Sequence, residues 1–298
     1  MVSSRDVQDP GISVSTSGWA WRAFYVVFWG WLLARWLNDW FFTSVTGIGD
    51  RQPFVEPALI EPVSESLAFA LTYLPALAKG AWMTIVLTVV AIVLGFVIAV
   101  PLSVARVYGR YSKWLALTFT ELIRGTPLLA QLFVLYYGLG LSSWIRELPL
   151  VGVGPIPGQA FWVAIIGFTI NSAAYQAEYI RSALLSVDRG QLTAARAIGL
   201  NQLEGIRYVV LPQGLRYAIP AWSNELIYLI KYSSLAAFIT VPELFKVAQR
   251  IASANFRYTA IFTLVAILYL GIIITASNLM DYVNDRVAIP GLGQQRTR

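Results

Sequence analysis

The sequence contains neither cysteine nor histidine, and charged residues make up only 13% of its 298 positions. Without cysteine, disulfides, thiolate metal sites and cysteine nucleophiles are excluded. Without histidine, the commonest general base and the commonest zinc and haem ligand are missing. A soluble domain carries about 25% charged residues, so an ordinary cytosolic enzyme is nearly excluded. We expect no catalytic residue, no metal site and no cofactor in this chain.

Apolar and aromatic residues are abundant. Hydrophobic residues make up 57% of the chain, which includes 11 Trp, 15 Tyr and 15 Phe. This composition predicts an all-α membrane protein. The net charge is +6, and in a membrane protein such an excess indicates cytoplasmic loops. The basic residues are scattered along the chain, so a nucleic-acid partner is not expected.

Six segments approach the length of about 20 apolar residues that a helix needs to cross a bilayer. The predicted spans are residues 19–42, 80–105, 125–145, 161–177, 217–241 and 258–280. The fifth span contains Glu225 and Lys231, which we expect to face a bundle interior, a partner chain or a water-filled path. The first span contains Arg35 and Asp39, whose spacing allows them to pair on one helix face. An interfacial helix and a signal peptide are alternatives for 19–42.

The distribution of basic residues predicts the orientation. With the N-terminus inside, thirteen Lys and Arg residues lie on the cytoplasmic side and six outside. Cytoplasmic loops carry the excess of such residues, so we expect both termini in the cytoplasm and a multi-pass protein of the inner cell membrane. The loop 242–257 disagrees, because it would place Lys246, Arg250 and Arg257 outside.

The remaining segments divide the chain further. We predict a mobile cytoplasmic tail at 1–18, an additional N-terminal transmembrane helix at 19–42, an extracytoplasmic linker at 43–75 and a cytoplasmic tail at 288–298. The inner segment 178–216 is too polar to span the membrane. It predicts two helices, 193–198 and 203–210, with Gly199 as the left-handed residue between them and Pro212 ending the second.

This inner segment resembles the EAA loop of ABC importer permeases. Ala194 and Ala195 are followed after three residues by Gly199, and Leu211-Pro212 follow at the spacing of the family pattern. Three further stretches, 121–140, 171–191 and 224–244, are similar to the polar amino-acid uptake branch, the histidine/glutamine/arginine-type permeases. The four motifs occur in order.

The resemblance implies a type I ABC importer permease fold, with a five-helix core in a permease domain at 76–287 and one extra N-terminal span. It implies a second permease copy or paralogue, two cytoplasmic ABC ATPase subunits and an extracytoplasmic solute-binding protein. The chain has no G-x-x-x-x-G-K-[ST] sequence, so ATP hydrolysis is expected in a separate subunit.

The resemblance assigns ATPase coupling to the loop 190–212. The coupling residues are Thr193, Ala194, Ala195, Arg196, Gly199, Arg207, Leu211 and Pro212. Two positions depart from the family pattern. Thr193 replaces the usual Glu, which puts a charged contact with the ATPase in doubt, and Tyr232 stands where Asp or Asn usually follows the lysine.

Polar side chains at membrane depth are candidates for the substrate path. Asn171, Tyr175 and Glu178 form one helical stripe, and Glu225 and Lys231 lie on the next span. A zwitterionic amino acid needs acceptors for its ammonium group and donors for its carboxylate. As alternatives, Glu178 pairs with Arg181, and Lys231 pairs with Glu225 or with a partner subunit.

The motif Arg124-Gly125-Thr126-Pro127 has a structural interpretation. We expect it to end a short helix at 114–123 and to start the third span, with Thr126 as the cap and Pro127 in the first turn.

The sequence therefore predicts a permease subunit that translocates a polar amino acid. Another amino-acid-like solute, such as an opine, is an alternative. A stand-alone ion-coupled transporter and an intramembrane enzyme are less favoured, because the spans hold few acidic residues and no paired aspartates.

Overall fold

The computed structural model describes residues 18–154 and 156–287. The predicted tails, 1–18 and 288–298, lie outside the described residues except for Gly18, which begins the first helix. The described part is helical and contains no strand. Its α-helices are α1 (Gly18–Leu37), α2 (Thr43–Thr46), α3 (Glu65–Tyr108), α4 (Ser112–Arg124), α5 (Leu128–Phe133), α6 (Leu141–Arg146), α7 (Gln159–Leu185), α8 (Arg189–Ala197), α9 (Gln202–Gly205), α10 (Leu211–Tyr232), α11 (Leu244–Asn255) and α12 (Tyr258–Val287).

Shorter helical turns extend several of these helices. π-helical turns cover Asn38–Phe42, Val134–Gly138 and Ile206–Val210, and 3-10 turns cover Pro57–Leu59 and Ser233–Ile239. The π turn at 206–210 joins α9 to α10 without a break in the helical backbone. A single helical rod therefore runs from the inner loop into the predicted fifth span.

Two described helices, α3 and α12, are long and apolar enough by themselves to cross a membrane. The helical run Gln202–Ile239 and α11, bent by 54°, make a third if they count as one span. The predicted spans at 19–42, 161–177 and 217–241 coincide with α1, α7 and α10. These helices carry more polar residues, as expected of helices that turn a polar face toward a bundle interior.

The predicted third span differs most from the structure. Its apolar helix covers only Leu128–Gly138, which at a rise of ~1.5 Å per residue is about 16 Å long, roughly half of the bilayer core. Gly140, with a positive φ of 62°, then turns the chain into α6. The 21 uncharged residues of 125–145 are thus divided between two short helices.

The core forms where α7 lies along α3. Gly95 of α3 allows the two backbones to approach closely, because a Cβ at this position would lie 2.8 Å from Nε2 of Gln176 and 3.2 Å from the backbone nitrogen of Ala173. Small residues allow such approaches between membrane helices. Phe168 and Leu87 are fully buried in the cluster that α10 completes with Leu229.

The additional helix α1 packs on the outside of this core. Trp36 donates from Nε1 to the carbonyl of Ala78 on α3 at 2.8 Å, and Trp29 donates to Oγ1 of Thr275 on α12 at 2.9 Å. Arg35 pairs with Asp39, as their spacing predicts, and its side chain is fully buried. These contacts attach α1 to both of the long apolar helices.

Gly80 gives a test of the packing of α3 against α11. A Cβ on Gly80 would lie 2.9 Å from the Cα of Leu244. We expect Gly80→Val to push α11 away and to lower the melting temperature of the purified protein, because overpacking costs roughly 1–3 kcal/mol. Thermal unfolding in detergent, followed by Trp fluorescence, measures this loss.

Gly30→Ala is the matched control, because nothing lies within 4 Å of a Cβ at that helical position. Equal melting temperatures for Gly80→Val and Gly30→Ala would contradict the close packing of α3 and α11.

Candidate functional site

The predicted coupling loop is an ordered helical hairpin. The side chain of Asp188 accepts a hydrogen bond from the Gly190 backbone and caps α8. At the other end, Gly199 has a φ of 91°. Leu200 N bonds to Ala195 O at 3.1 Å and Gly199 N to Arg196 O at 3.0 Å, the two bonds of a Schellman helix end. The predicted left-handed turn at Gly199 is confirmed.

The second helix of the hairpin begins with a capping box. Asn201 Oδ1 accepts from the backbone of Glu204 at 3.0 Å, and Glu204 Oε2 accepts from the backbone of Asn201 at 2.8 Å. Asn-x-x-Glu is a recognised signal for such a start. The sequence does contain this signal, which was not identified in it, and the N-cap Asn201 lies two residues after Gly199.

The prediction that Pro212 ends the second helix is wrong. Pro212 lies in the first turn of α10, where a missing N–H is tolerated. Directly before it, the Leu211 N–H bonds to the Ile206 carbonyl, five residues back. This π-type bond carries the helix past the proline. The helical backbone is therefore continuous from the hairpin into α10.

The coupling residues divide into an inner and an outer set. Ala195 is 3% exposed and lies against α9, where a Cβ on Gly205 would be 3.4 Å from its own Cβ. Leu211 packs on a buried cluster that includes Leu184 and Val210. These two residues hold the hairpin together and anchor it.

The outer set forms an exposed surface that we call the coupling face. Its apolar members are Ala194, Ala197, Ile198, Leu203 and Tyr208, all exposed. Ile198 is 79% exposed and Leu203 71%. Thr193, Arg196 and Arg207 are also exposed. Thr193 does not cap the helix, since its hydroxyl lies 3.5 Å from the carbonyl of Arg189 within α8.

A polar network surrounds the break between α4 and α5. Nε2 of Gln131 donates to the carbonyl of Ile123 at 2.7 Å and to Oγ1 of Thr126 at 2.8 Å. Oε1 of Gln131 accepts from Nδ2 of Asn171 on α7 at 3.1 Å. The path candidate Asn171 is therefore engaged in holding the break and is 6% exposed.

The motif 124–127 joins α4 to α5 as predicted, but two of its residues act differently. Thr126 does not cap α5, because its hydroxyl donates back to the carbonyl of Leu122 at 3.0 Å and closes α4. Pro127 stands at the N-cap of α5, before its first turn, with an extended ψ of 135°. Arg124 is the last residue of α4, and Gly125 follows it.

Glu178 is the centre of an ion-pair cluster. It accepts from Arg181 at 2.5 Å and 3.0 Å and from Arg106 at 2.5 Å, and Arg124 lies 3.6 Å away. The pairing with Arg181, the alternative interpretation, is thus observed. Both carboxylate oxygens are occupied, so Glu178 ties α3, α4 and α7 together and is poorly placed to receive a substrate ammonium group.

Two further path candidates, Glu225 and Lys231, lie on α10. Glu225 is 4% exposed on α10, within hydrogen-bonding reach of Ser172 and Tyr179 on α7. Lys231 is exposed, and its Nζ lies 5.9 Å from the ring centre of Tyr228. The alternative pairing of Lys231 with Glu225 is not found among the ion pairs of residues 18–154 and 156–287.

Two buried polar residues were not identified from the sequence. Gln176, fully buried, accepts from Nε1 of Trp222 at 2.6 Å and donates to the carbonyl of Ile92 at 3.0 Å. It thereby links α7 to α10 and α3. A glutamine within an apolar span indicates a buried polar contact between helices. Gln176 lies within the motif 171–191, so the sequence does contain this signal.

Glu243 was also missed. It is fully buried and accepts from the backbones of Phe245 and Lys246, at 2.9 Å and 2.7 Å, and from the hydroxyl of Tyr269 at 3.1 Å. Glu is uncommon among N-cap residues, so the sequence offers no strong signal for this role.

Comparison with known families identifies the fold and the general role. The family described as binding-protein-dependent transport system inner membrane component matches residues 91–289. The chain belongs to this family. It is a multi-pass inner-membrane permease component, as the sequence predicts.

Two curated relatives cover most of the family domain. The probable amino-acid ABC transporter permease protein YckA of Bacillus subtilis (strain 168) is 37% identical over 74% of this chain and 92% of its own length. The octopine transport system permease protein OccM of Rhizobium radiobacter is 36% identical over 65% of this chain and 79% of its own.

A solved structure shows the same fold. A chain in the crystal structure of an amino acid ABC transporter with histidines superimposes with a TM-score of 0.63 at 32% identity. The match covers 73% of this chain and 97% of the other. The predicted type I ABC importer permease fold is confirmed.

The cluster around Glu178 generates a stability prediction. We expect Glu178→Gln to lower the free energy of unfolding by roughly 1–3 kcal/mol, because hydrogen bonds to charged groups are worth about this much and three guanidinium groups lose their carboxylate. Urea unfolding in detergent, followed by Trp fluorescence, measures the change.

Glu121→Gln is the matched control. Glu121 contacts Arg106 and Arg124 only at 3.4 Å and 3.7 Å, and its side chain is 56% exposed. Equal losses in the two variants would show that Glu178 does not hold the helices together.

Proposed function

We propose that this permease subunit belongs to an ATP-driven importer of polar amino acids, which an extracytoplasmic solute-binding protein delivers. The observation that carries the importer role is the ordered hairpin at 188–212, which presents an exposed coupling face and continues without a break into α10. The amino-acid substrate is supported by the 37% identity to YckA and by the 32% identity to the amino acid ABC transporter chain.

The partners follow from the same surface. Two cytoplasmic ABC ATPase subunits bind the coupling faces of two permease subunits, the second being a copy or a paralogue of this chain. ATP is hydrolysed by those partners, because this sequence has no phosphate-binding loop. Arg196 and Arg207 flank the apolar coupling face and are available for acidic groups of the ATPase. This chain itself needs no cofactor.

Coupling proceeds through rigid contacts. Leu192 of α8 packs on the buried cluster that contains Leu184, Val187 and Val210. A Cβ on Gly214 would lie 2.7 Å from Leu184, so α10 presses closely on α7. Closure of the ATPases displaces the hairpin, and α7 and α10 move with it between two packings of the bundle.

The path for the solute lies along the exposed side of α10. Tyr228 and Tyr232 stack with ring centres 6.0 Å apart, and Lys231 lies beside them. Lys231 has no ion-pair partner among the residues that the structure describes, so it is available to a solute carboxylate. Asn171, Tyr175 and Glu225 border this path, and both chain termini lie in the cytoplasm.

An opine is the second candidate solute. OccM, named as an octopine permease, is 36% identical over 198 residues. An opine carries the same carboxylate and amino groups as an amino acid, so Lys231 serves the carboxylate of either solute.

A single charge introduced on the coupling face tests its role in binding the ATPase. We expect Ile198→Asp to weaken binding of the cognate ATPase at least tenfold, because a carboxylate would be buried at an apolar interface. Affinity is measured with the purified permease in nanodiscs. Leu148→Asp, which places the same charge on an exposed leucine outside the coupling face, should bind normally. Undiminished binding by Ile198→Asp would overturn the coupling role.

The solute is tested by uptake into proteoliposomes that contain the permease, its ATPase and candidate binding proteins. ATP-dependent accumulation of a radiolabelled polar amino acid is the expected result. Accumulation of octopine alone would favour the second candidate. Uptake driven by a proton or sodium gradient in the absence of the ATPase would contradict the importer assignment.

A further inference from the structure

The basic residues on the predicted outer side need an explanation, because this side usually carries few. In the loop 242–257, Arg257 pairs with Glu65 at 2.7 Å, and Lys246 donates to Gln249 at 3.1 Å. Arg250 is exposed and has no ion-pair partner within residues 18–154 and 156–287. One cation of this loop is therefore not used by the fold.

Arg250 lines a cavity of about 350 Å³ at the outer end of the bundle. The cavity lies between α3, α11, the segment that follows α1 and three loop residues, Gly154, Ile156 and Pro157. Three cations line it, Arg51, Lys79 and Arg250, and apolar residues such as Met83 and Val247 form the rest of its wall. We call it the basic socket.

Asp50 partly neutralises the basic socket. Its carboxylate lies 3.2 Å from Nζ of Lys79 and 3.6 Å from Nε of Arg51. The two cations therefore share one ion-pair partner and lie close to each other. Three cations against one carboxylate leave a net charge of 3 − 1 = +2. The socket is therefore suited to a further carboxylate.

Hydrogen bonds within residues 49–52 and from Arg35 fix the segment that carries Arg51. Arg51 adopts a φ of 63°, a left-handed backbone conformation that is strained for a residue with a Cβ. Gln52 N bonds to Gly49 O at 3.1 Å, and Gln52 Oε1 accepts from Gly49 N at 3.0 Å. The buried Arg35 at the end of α1 donates to the carbonyl of Gln52 and to that of Gly49.

The floor of the socket is also rigid. Gly80 and Leu244 bring the backbones of α3 and α11 together, since a Cβ on Gly80 would lie 2.9 Å from the Cα of Leu244. A fixed set of charges on a rigid floor suits a macromolecular contact, in which complementary charges set orientation and association rate.

We propose that the basic socket receives a carboxylate side chain of the solute-binding protein, and that the N-terminal addition supplies part of this docking site through Arg51. The inference rests on the proposed importer function. A solute carboxylate is disfavoured as the occupant, because none of the path candidates Asn171, Tyr175, Glu225 and Lys231 lines the socket. Arg51 precedes residue 91, where the family match begins, so this contact is an addition to the family domain.

The test uses the complete transporter in proteoliposomes with the binding protein that supports wild-type uptake. The measured quantity is the concentration of binding protein that gives half-maximal stimulation of ATP hydrolysis. We expect Arg51→Asn and Arg250→Gln each to raise it roughly three- to tenfold, and the double variant to raise it further. Asn tolerates the left-handed backbone at position 51, and melting temperatures verify folding.

Arg146→Gln is the matched control, because Arg146 is an exposed cation at the end of α6 and lies outside the socket. It should leave the half-maximal concentration unchanged. As a positive test, Arg250→Glu should be rescued by an acidic-to-lysine substitution on the docking face of the binding protein, and the absence of any rescuing position would overturn the proposal.

Three other results would also overturn it. The double variant can behave like wild type, it can alter only the apparent affinity for the solute, or its defect can depend on anionic lipid in the vesicles. The second result would assign the socket to the solute, and the third to a lipid headgroup. If no binding protein stimulates the wild-type transporter, both the proposed function and this inference fail. If the wild type is stimulated and the double variant matches it, only this inference fails.

Discussion

Backbone groups in an apolar surrounding need partners within the protein, and polar side chains provide them at two breaks in the helices of this chain. Gln131 donates to the carbonyls of Ile123 and Thr126 where α4 ends and α5 begins. Glu243 accepts from the backbone at the start of α11. The chain can therefore change direction between its long helices without leaving these groups unsatisfied.

The same requirement explains how the helices are held in register. Gln176 is fully buried and forms hydrogen bonds to both α3 and α10. Glu178, half a turn further along α7, forms ion pairs with arginines of α3, α4 and α7. Buried polar groups without partners are costly, so a slip of α7 along α3 would break several bonds at once. The hairpin at 188–212 is attached to this part of the bundle through Leu192 and Leu211 and through the continuous backbone into α10.

The additional helix α1 also contributes a buried polar side chain that bonds to backbone carbonyls. Its buried Arg35 fixes the turn at 49–52 as well as pairing with Asp39. Helix α1 thus both packs against α3 and α12 and shapes the surface next to α11. A fully buried arginine thereby has a structural role in a helix that belongs to neither the coupling loop nor the path.

The sequence by itself determined the fold class, the family and the positions of most of the long helices, because these depend on local composition and on motif spacing. It also determined the left-handed turn at Gly199, which depends on one residue type. Only the tertiary structure decided that Pro212 lies inside a continuous helix, that Thr126 closes α4, and that Glu178 meets Arg106, 72 positions away along the chain. These outcomes depend on which partners a side chain finds once the helices pack, and no local pattern encodes that choice.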